Sequence, residues 1–279
     1  MIIAVIMACH NRKELTLNCL RLLYDQSGNN KDFYMEVFLL DDNSSDGTCD
    51  QVKQEFSNVN IILGDGSLFW NRGMHLAWKA AIESNKSFDC YIWLNDDTFL
   101  YPDALITVLN IAHEMDFKSI ICGSICCPND ENKMTYGGCT LTSKRTIPNV
   151  PNGKNCLADI INGNFVLIPH SVYLKVGNLD WSFIHAIGDN DYGLRAKKLG
   201  IFAYSTGTFI GTCSDKSSLP KWCIPEVPLR ERLKNLYSPL GNAEPLKFFK
   251  YQNRHFGISK ALKNFISTHI RVFFPKLWI

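Results

Sequence analysis

The stretch Cys90-Tyr91-Ile92-Trp93-Leu94 is five apolar residues in a row, and it runs directly into Asn95-Asp96-Asp97-Thr98. A short continuous run of aromatic, aliphatic and β-branched residues reads as a strand buried on both faces. The polar residues at its carboxyl end fall where an open parallel sheet binds its ligands. Working outward, Ile2 to Ala8, Glu36 to Leu40 and Asn60 to Leu63 are runs of the same kind. Between them, Arg12 to Asp25, Gly47 to Phe56, Gly73 to Ser84 and Pro102 to Met115 carry helical spacing. Leu15, Cys19, Leu22 and Leu23 form one predicted buried stripe; Ala104, Leu105, Val108, Leu109 and Ala112 form another. Pro102 and Asp103 suit a helix start. Strand and helix in alternation predict an α/β fold with a mixed, mostly parallel sheet flanked by helices.

After Ser119 the runs shorten and turn signals multiply, at Asn129-Asp130, Gly137-Gly138 and Pro148 to Gly153. This predicts the second half of the same domain, with antiparallel or mixed strands. A last clear helix is predicted from Asp189 to Leu199, stopping at Gly200 in a positive-φ conformation. Ile201 to Ser205 reads as one more strand.

Composition bounds the answer. The chain has 279 residues, 46% hydrophobic and 12% aromatic, with a formal net charge of +2, which excludes disorder as the main state and permits a large core. No run reaches the roughly 18 to 20 apolar residues of a membrane helix, and Met1 to Ala8 has no basic stretch before it, so it reads as a strand rather than a signal peptide. The eleven cysteines are scattered, odd in number and never spaced as CxxC, which predicts reduced cytosolic thiols. A zinc site from Cys122, Cys126, Cys127 and Cys139 is disfavoured by the same spacing. Charge is uneven: from Pro228 onward there are ten Lys and Arg against two acids, leaving 19 basic and 25 acidic residues in the rest. The tail is a basic segment on a mildly acidic body.

Four polar clusters follow predicted strands: Cys9-His10-Asn11-Arg12, Asp41 to Gly47, Gly64-Asp65-Gly66 and Asn95-Asp96-Asp97-Thr98. They are expected to converge on one rim. Asp41 and Asp42 close a buried strand, and one is placed to accept from a nucleobase ring N–H, although a polar capped loop is the plainer reading. Asp96 and Asp97 beside an apolar strand repel each other and call for a cation; such oxygen ligands suit Mn²⁺ or Mg²⁺ bridging to a diphosphate. Trp70 offers a flat ring face and Arg72 a phosphate partner at a helix entrance. In Gly188 to Arg195, Asp189 reads either as a helix cap or as a general base, and Asp191 either as a partner for Arg195 four residues on or as a second base. Phe69 stands where a third dinucleotide-fold glycine would be, which excludes a nicotinamide dehydrogenase, and GxxxxGK[ST] does not occur.

Together, Ala8-Cys9-His10-Asn11-Arg12, Asp41-Asp42-Asn43-Ser44-Ser45-Asp46-Gly47-Thr48, Asn95-Asp96-Asp97 and Gly188-Asp189-Asn190-Asp191-Tyr192-Gly193-Leu194-Arg195 resemble, in this order, the motifs of family 2 glycosyltransferases with the GT-A (Rossmann-like nucleotide-binding) fold. Bacterial enzymes of surface-polysaccharide synthesis, rhamnosyltransferase-like ones among them, are the most similar. The resemblance covers residues 1 to 225, leaving 226 to 279 as a basic aromatic helical segment. It implies an inverting transfer from a UDP- or dTDP-sugar to a hydroxyl of a glycan or lipid-linked acceptor. Asp42 would contact the base, with Ala8, His10 and Arg12 lining its site; Gly66, Trp70, Arg72, Asn95 and Asp96 would complete the donor site. Asp97, with Asp96, would hold Mn²⁺ or Mg²⁺, and Asp189 would be the catalytic base with Asp191 as second candidate. Two departures stand out: Gly188 replaces the usual acid before the base, and Gly211-Thr212-Cys213-Ser214-Asp215 has no histidine where many relatives place a metal ligand. Cys213 or water would then complete the shell. Two alternatives stay open, a catalytically silent nucleotide-sugar binding subunit and a nucleotidyltransferase. The basic, aromatic tail reads either as a helix lying on the inner face of an anionic membrane, making a cytoplasmic protein peripheral there, or as a C-terminal helix packed on the body or against a dimer partner, with no nucleic-acid partner and the oligomeric state left open.

Overall fold

The computed structural model describes residues 1–142, 145–214, 219–241 and 244–278. The first half alternates as expected: β1 (Ile2–Cys9), α1 (Lys13–Tyr24), β2 (Tyr34–Asp41), α2 (Thr48–Glu55), β3 (Asn60–Leu63), α3 (Phe69–Glu83), β4 (Cys90–Leu94), the two-residue β5 (Phe99–Leu100) and α4 (Ala104–Glu114). The second half begins with β6 (Ile120–Cys127), β7 (Asp130–Tyr136), β8 (Cys139–Leu141), β9 (Thr146–Pro148), β10 (Cys156–Ala158) and β11 (Phe165–Pro169). It closes with α5 (His170–Val176), α6 (Gly188–Lys198), β12 (Ala203–Thr212), α7 (Leu229–Leu236), α8 (Pro245–Phe256) and α9 (Ile258–Phe273).

The main sheet runs β3-β2-β1-β4-β11-β6-β12-β10, with β5 added to β12 and β7 to β6. β1 is parallel to both β2 and β4, and β3 to β2, whereas β11 runs antiparallel to β4 and β6. β6 and β12 are parallel, so the sheet is mixed and mostly parallel. β8 and β9 form a separate two-stranded sheet. The period of two within β1 divides the core: Ile3, Val5 and Met7 face the layer of α1 and α4, while Ala4 and Ile6 face Met74 and Trp78 of α3. Because one strand feeds both layers, the five residues Ile3 to Met7 leave no polar position to spare.

Three expectations need correction. The buried face of α1 is Thr16, Leu17, Cys19, Leu20 and Leu23, with Leu15 40% exposed; the helix is rotated so that Thr16 reaches the polar loop after β4. Helix α3 starts at Phe69 rather than Gly73, because the Asp42 carboxylate accepts from the Leu68 and Phe69 N–H groups, both at 3.0 Å. Finally, the strand expected at Ile201 to Ser205 runs from Ala203 to Thr212, lengthened by its pairing with β6 and β5. The tail folds into α7, α8 and α9, with α8 and α9 separated at Gly257 (φ 89°), a left-handed position that glycine takes without a Cβ penalty.

Candidate active site

The carboxyl ends of β1, β2 and β4 and the N-terminus of α6 surround a cavity of about 880 Å³, a size ordinary for small-molecule sites. Ala8, His10, Arg12, Asp42, Gly66, Trp70, Asn95, Asp96, Asp97 and Asp189 all line it. Two residues expected there, Arg72 and Asp191, do not.

The acidic pair after β4 is nearly buried, Asp96 at 4% and Asp97 at 8% exposure. Arg12 Nη1 bridges it, donating to Asp96 Oδ1 at 2.8 Å and to Asp97 Oδ2 at 2.9 Å. Arg12 therefore answers the repulsion between the carboxylates, rather than simply lining a base site. Burial works against its charge, but the two aspartates hold its pKa above the usual value. The first turns of α1 support the same loop: Thr16 Oγ1 lies 3.5 Å from Asp96 Oδ2, and Cys19 Sγ donates to the carbonyls of Asn95 and Thr98.

Asp42 organises the opposite edge. Its Oδ1 accepts from Gly66 N–H at 2.8 Å, and its Oδ2 accepts from Leu68 and Phe69 N–H. A carboxylate has about four acceptor positions, so one, on Oδ1, stays available for a ligand. His10 Nδ1 lies 2.7 Å from the Asp42 carbonyl oxygen, fixing the ring beside it. Trp70 Nε1 donates to Asn95 Oδ1 at 2.6 Å, which locks the indole against the acidic loop. Arg72 points elsewhere: its Nε donates to the Trp181 carbonyl, and its guanidinium stacks 5.0 Å from the Trp181 ring. The cation that the sequence placed at Arg72 is supplied by Arg12.

At the far wall, Asp189 is 8% exposed and accepts from Gly163 N–H at 2.9 Å through Oδ2 and from Asn190 N–H at 2.8 Å through Oδ1. Burial raises its pKa above the ordinary carboxylate value, with the two amides acting in the other direction. The residue before the helix, Ile187, sits at φ 80°, an unfavourable conformation for a β-branched side chain that costs on the order of 1–3 kcal/mol. That strain is confined to the wall that aims Asp189.

Asp191 is fully buried at 0% exposure, behind this wall. Its Oδ2 accepts from Arg195 Nε at 2.8 Å, and its Oδ1 accepts from Arg254 Nη1 at 2.7 Å with His255 Nε2 at 2.8 Å. Arg254 also donates to Asp180 at 2.6 Å. Burial alone would raise the Asp191 pKa, but His255, Arg195 and Arg254 together hold it below the ordinary value. Asp191 is thus an anchor between α6 and α8, not a second base. An apolar cluster of Phe183, Ile187, Leu194 and Tyr251 seals the same junction.

The cavity also recruits residues that no motif announced. Asn162-Gly163-Asn164 lines it just before β11, as do Tyr136, His185 and Leu240. A polar turn before the apolar run Phe165 to Ile168 was the available signal for the first group; the others lie in no recognisable pattern.

The family model for glycosyl transferase family 2 matches residues 4–173, more than half of the chain. The chain belongs to glycosyl transferase family 2. Its fold is GT-A. Among solved structures it is similar to Staphylococcus aureus TarS at 14% identity and a TM-score of 0.58, over 99% of this chain and 53% of that one. It thus spans about half the length of that protein. It also resembles S. aureus TarS 1–349 in complex with UDP-GlcNAc (12%, TM-score 0.57, 99% of this chain and 88% of that one). A third likeness is to the mannosyltransferase PcManGT from Pyrobaculum calidifontis in complex with GDP-Man and Mn²⁺ (13%, TM-score 0.55, 94% and 73%). At such identities the likeness is one of fold. No curated protein matches.

Both departures of this chain from the family pattern have a local setting. A Cβ on Gly188 would overlap Asn71 Oδ1, and Asn71 is held by its own amide on the carbonyls of Asp180 and Phe183, both at 2.9 Å. Asn71 fills the space an acidic side chain would need. Cys213 is buried, within 3.5 Å of Asn164 Nδ2, and does not line the cavity, so it is not placed as a metal ligand; Asp215 lies outside the described residues. Among the described residues no group of three or more His, Cys, Asp or Glu converges as a metal cage, including the four cysteines at 122 to 139. Asp96 and Asp97 alone still fit a hard divalent cation, which commonly takes one or two carboxylates and completes its shell with substrate phosphate and water.

Proposed function

We propose that this glycosyltransferase is an inverting enzyme that moves a sugar from a UDP- or dTDP-sugar to a hydroxyl of a glycan or lipid-linked acceptor in bacterial surface-polysaccharide synthesis. The observation that carries the reading is the convergence of Asp42, Asp96, Asp97 and Asp189 on one cavity although they come from two strand ends and a helix nearly 150 residues after the first of them. The remaining acceptor position on Asp42 Oδ1 suits the ring N–H of uracil or thymine. The second acidic position belongs to the diphosphate: Mn²⁺ or Mg²⁺ held by Asp97 with Asp96 would supply positive charge there. Arg12, already placed between the two carboxylates, gives the same region a fixed cation of its own.

Asp189 takes the proton. The acceptor oxygen attacks the anomeric carbon as its proton passes to the Asp189 carboxylate, and the bond from that carbon to the diphosphate oxygen breaks with its electron pair leaving on the diphosphate. Attack from the face opposite the leaving group inverts the configuration. Burial raises the proton affinity of Asp189, while the Gly163 and Asn190 amides hold its orientation, the combination a general base requires. The test is a screen of UDP- and dTDP-sugars for donor hydrolysis with and without Mn²⁺. Stimulation by the metal, with loss in Asp97→Ala, supports the reading; binding without turnover under every condition favours the silent-subunit alternative instead.

The division at 225/226 is proposed as functional: residues 1–225 hold the donor and residues 226–279 bring the enzyme to its acceptor. Along α9, Ile258, Leu262, Ile266, Ile270 and Phe273 form an exposed stripe at intervals of three or four residues, extended by Phe274 and Leu277. The exposed Lys260 and Lys263 flank it, while Arg271 turns inward over the Trp222 ring. No helix among the described residues is long and apolar enough to cross a membrane. A basic helix with one apolar face instead suits the surface of an anionic bilayer, which fits a lipid-linked acceptor and a cytoplasmic, peripheral location.

A further inference from the structure

A second cavity, of about 470 Å³, adjoins the donor cavity and shares with it the wall residues Ala186, Ile187 and Asn190. Its character is different. α8 contributes Phe248, Tyr251 and Phe256, with the Phe248 and Tyr251 rings stacked 6.0 Å apart. Among the described residues, Arg145 and Lys260 are its charged lining residues and no carboxylate lines it. Lys260 Nζ lies 4.1 Å from the Phe256 ring centroid, and neither cation is paired with an acid among the described residues. Asn190, next in sequence to Asp189, presents a side-chain amide that makes no hydrogen bond within the described residues and opens on both cavities.

From these features we infer that the second cavity is the acceptor subsite and that it selects a saccharide bearing an anionic group, a phosphate or a carboxylate. Aromatic faces pack against the apolar C–H face of a sugar ring, while an amide and two cations supply directional and charged contacts. Unpaired Arg and Lys with no competing acid favour an anion over a neutral ring. The shared wall residues Ala186, Ile187 and Asn190 join the second cavity to the donor cavity that Asp189 lines, so an acceptor seated there has a short path to the Asp189 carboxylate. The inference rests on the donor-site reading only for the direction of transfer; occupancy and charge preference of the second cavity are separate properties.

The test uses the full chain with UDP and Mn²⁺ present and ligand-observed NMR titration of three probes: p-nitrophenyl β-glucoside, its 6-phosphate and p-nitrophenyl β-glucuronide. At least one anionic probe is expected to bind about tenfold more tightly than the neutral one. The preference should weaken at high salt and disappear in the Arg145→Gln/Lys260→Gln double variant, whose exposed positions leave the fold intact. The tighter of the two anionic probes identifies phosphate or carboxylate as the natural group. Equal binding of all three, binding of none, or a preference that survives the double variant would overturn the subsite. UDP-sugar hydrolysis is measured in the same samples: its absence in the wild type counts against the donor-site reading, whereas its persistence at wild-type level in the double variant separates the two cavities.

Discussion

The two adjoining cavities carry opposite charge on a common wall. One is lined by Asp42, Asp96, Asp97 and Asp189 against the single Arg12 guanidinium; the other by Arg145 and Lys260 with no carboxylate. The acidic cavity is built from strand ends, where backbone amides and Arg12 hold each carboxylate in place. The basic cavity is built by docking α8 of the tail onto α6, through buried ion pairs and the Phe183, Ile187, Leu194 and Tyr251 cluster. The contrast teaches how differently two neighbouring cavities can be made: one where strands end, the other where a tail helix docks on the body. The shared wall is therefore the place to strike.

Asp191→Ala should have the largest effect. It strips the buried partner from Arg195, Arg254 and His255 at once, and breaking a buried pair typically costs about 3–5 kcal/mol. Urea denaturation is expected to show that loss, and a change below about 1 kcal/mol would mean that α8 is held to the wall by something else. Gly188→Ala comes next: overpacking against Asn71 is expected to cost about 1–3 kcal/mol. Pairing it with Asn71→Ala should recover part of that loss; strict additivity of the two changes would show that they do not meet.

Acidity separates the cavities without a mutation. Asp189 acts as a base only when ionised, and burial raises its pKa. The acid limb of donor turnover should therefore lie above the ordinary carboxylate range near 4, with the rate rising as pH increases through it and falling about tenfold per unit below it. Binding of an uncharged probe to the basic cavity should stay flat over that window. A turnover profile with its midpoint at or below the ordinary value would contradict the assignment. The smallest effect concerns the tail: the Ile266→Glu/Ile270→Glu variant should sediment several-fold less with anionic vesicles, and wild-type binding should weaken with salt. Unchanged association in the variant would remove α9 as the contact face.

The first half of the fold was legible because β1 and β4 are buried on both faces, leaving continuous apolar runs; β3 and β4 have the bounds that the sequence predicts. The convergence of polar clusters followed from the parallel order of those strands. What could not be read depended on partners far away in the chain. Asp42 caps α3 from 26 and 27 residues upstream, which moves the helix start to Phe69. Asp191 looked ambiguous beside Arg195, and only α8, more than 60 residues later, shows that it is saturated. In the sequence Arg72 reads as the phosphate partner and Arg12 only as lining the base site; Trp181 claims Arg72, and the acidic pair claims Arg12. Arg145 and Lys260 belong to no motif at all, since the cavity they share exists only once α8 is docked.

The most direct measurement is turnover of Asp189→Asn with a hydrolysable UDP- or dTDP-sugar, alongside its melting temperature and its affinity for the free nucleotide. Asparagine preserves the shape and an oxygen for the Gly163 amide but cannot take the acceptor proton. The expected result is an unchanged melt and nucleotide affinity with turnover reduced about 10²- to 10⁴-fold. Turnover equal to wild type would show that the carboxylate on the shared wall is not the base.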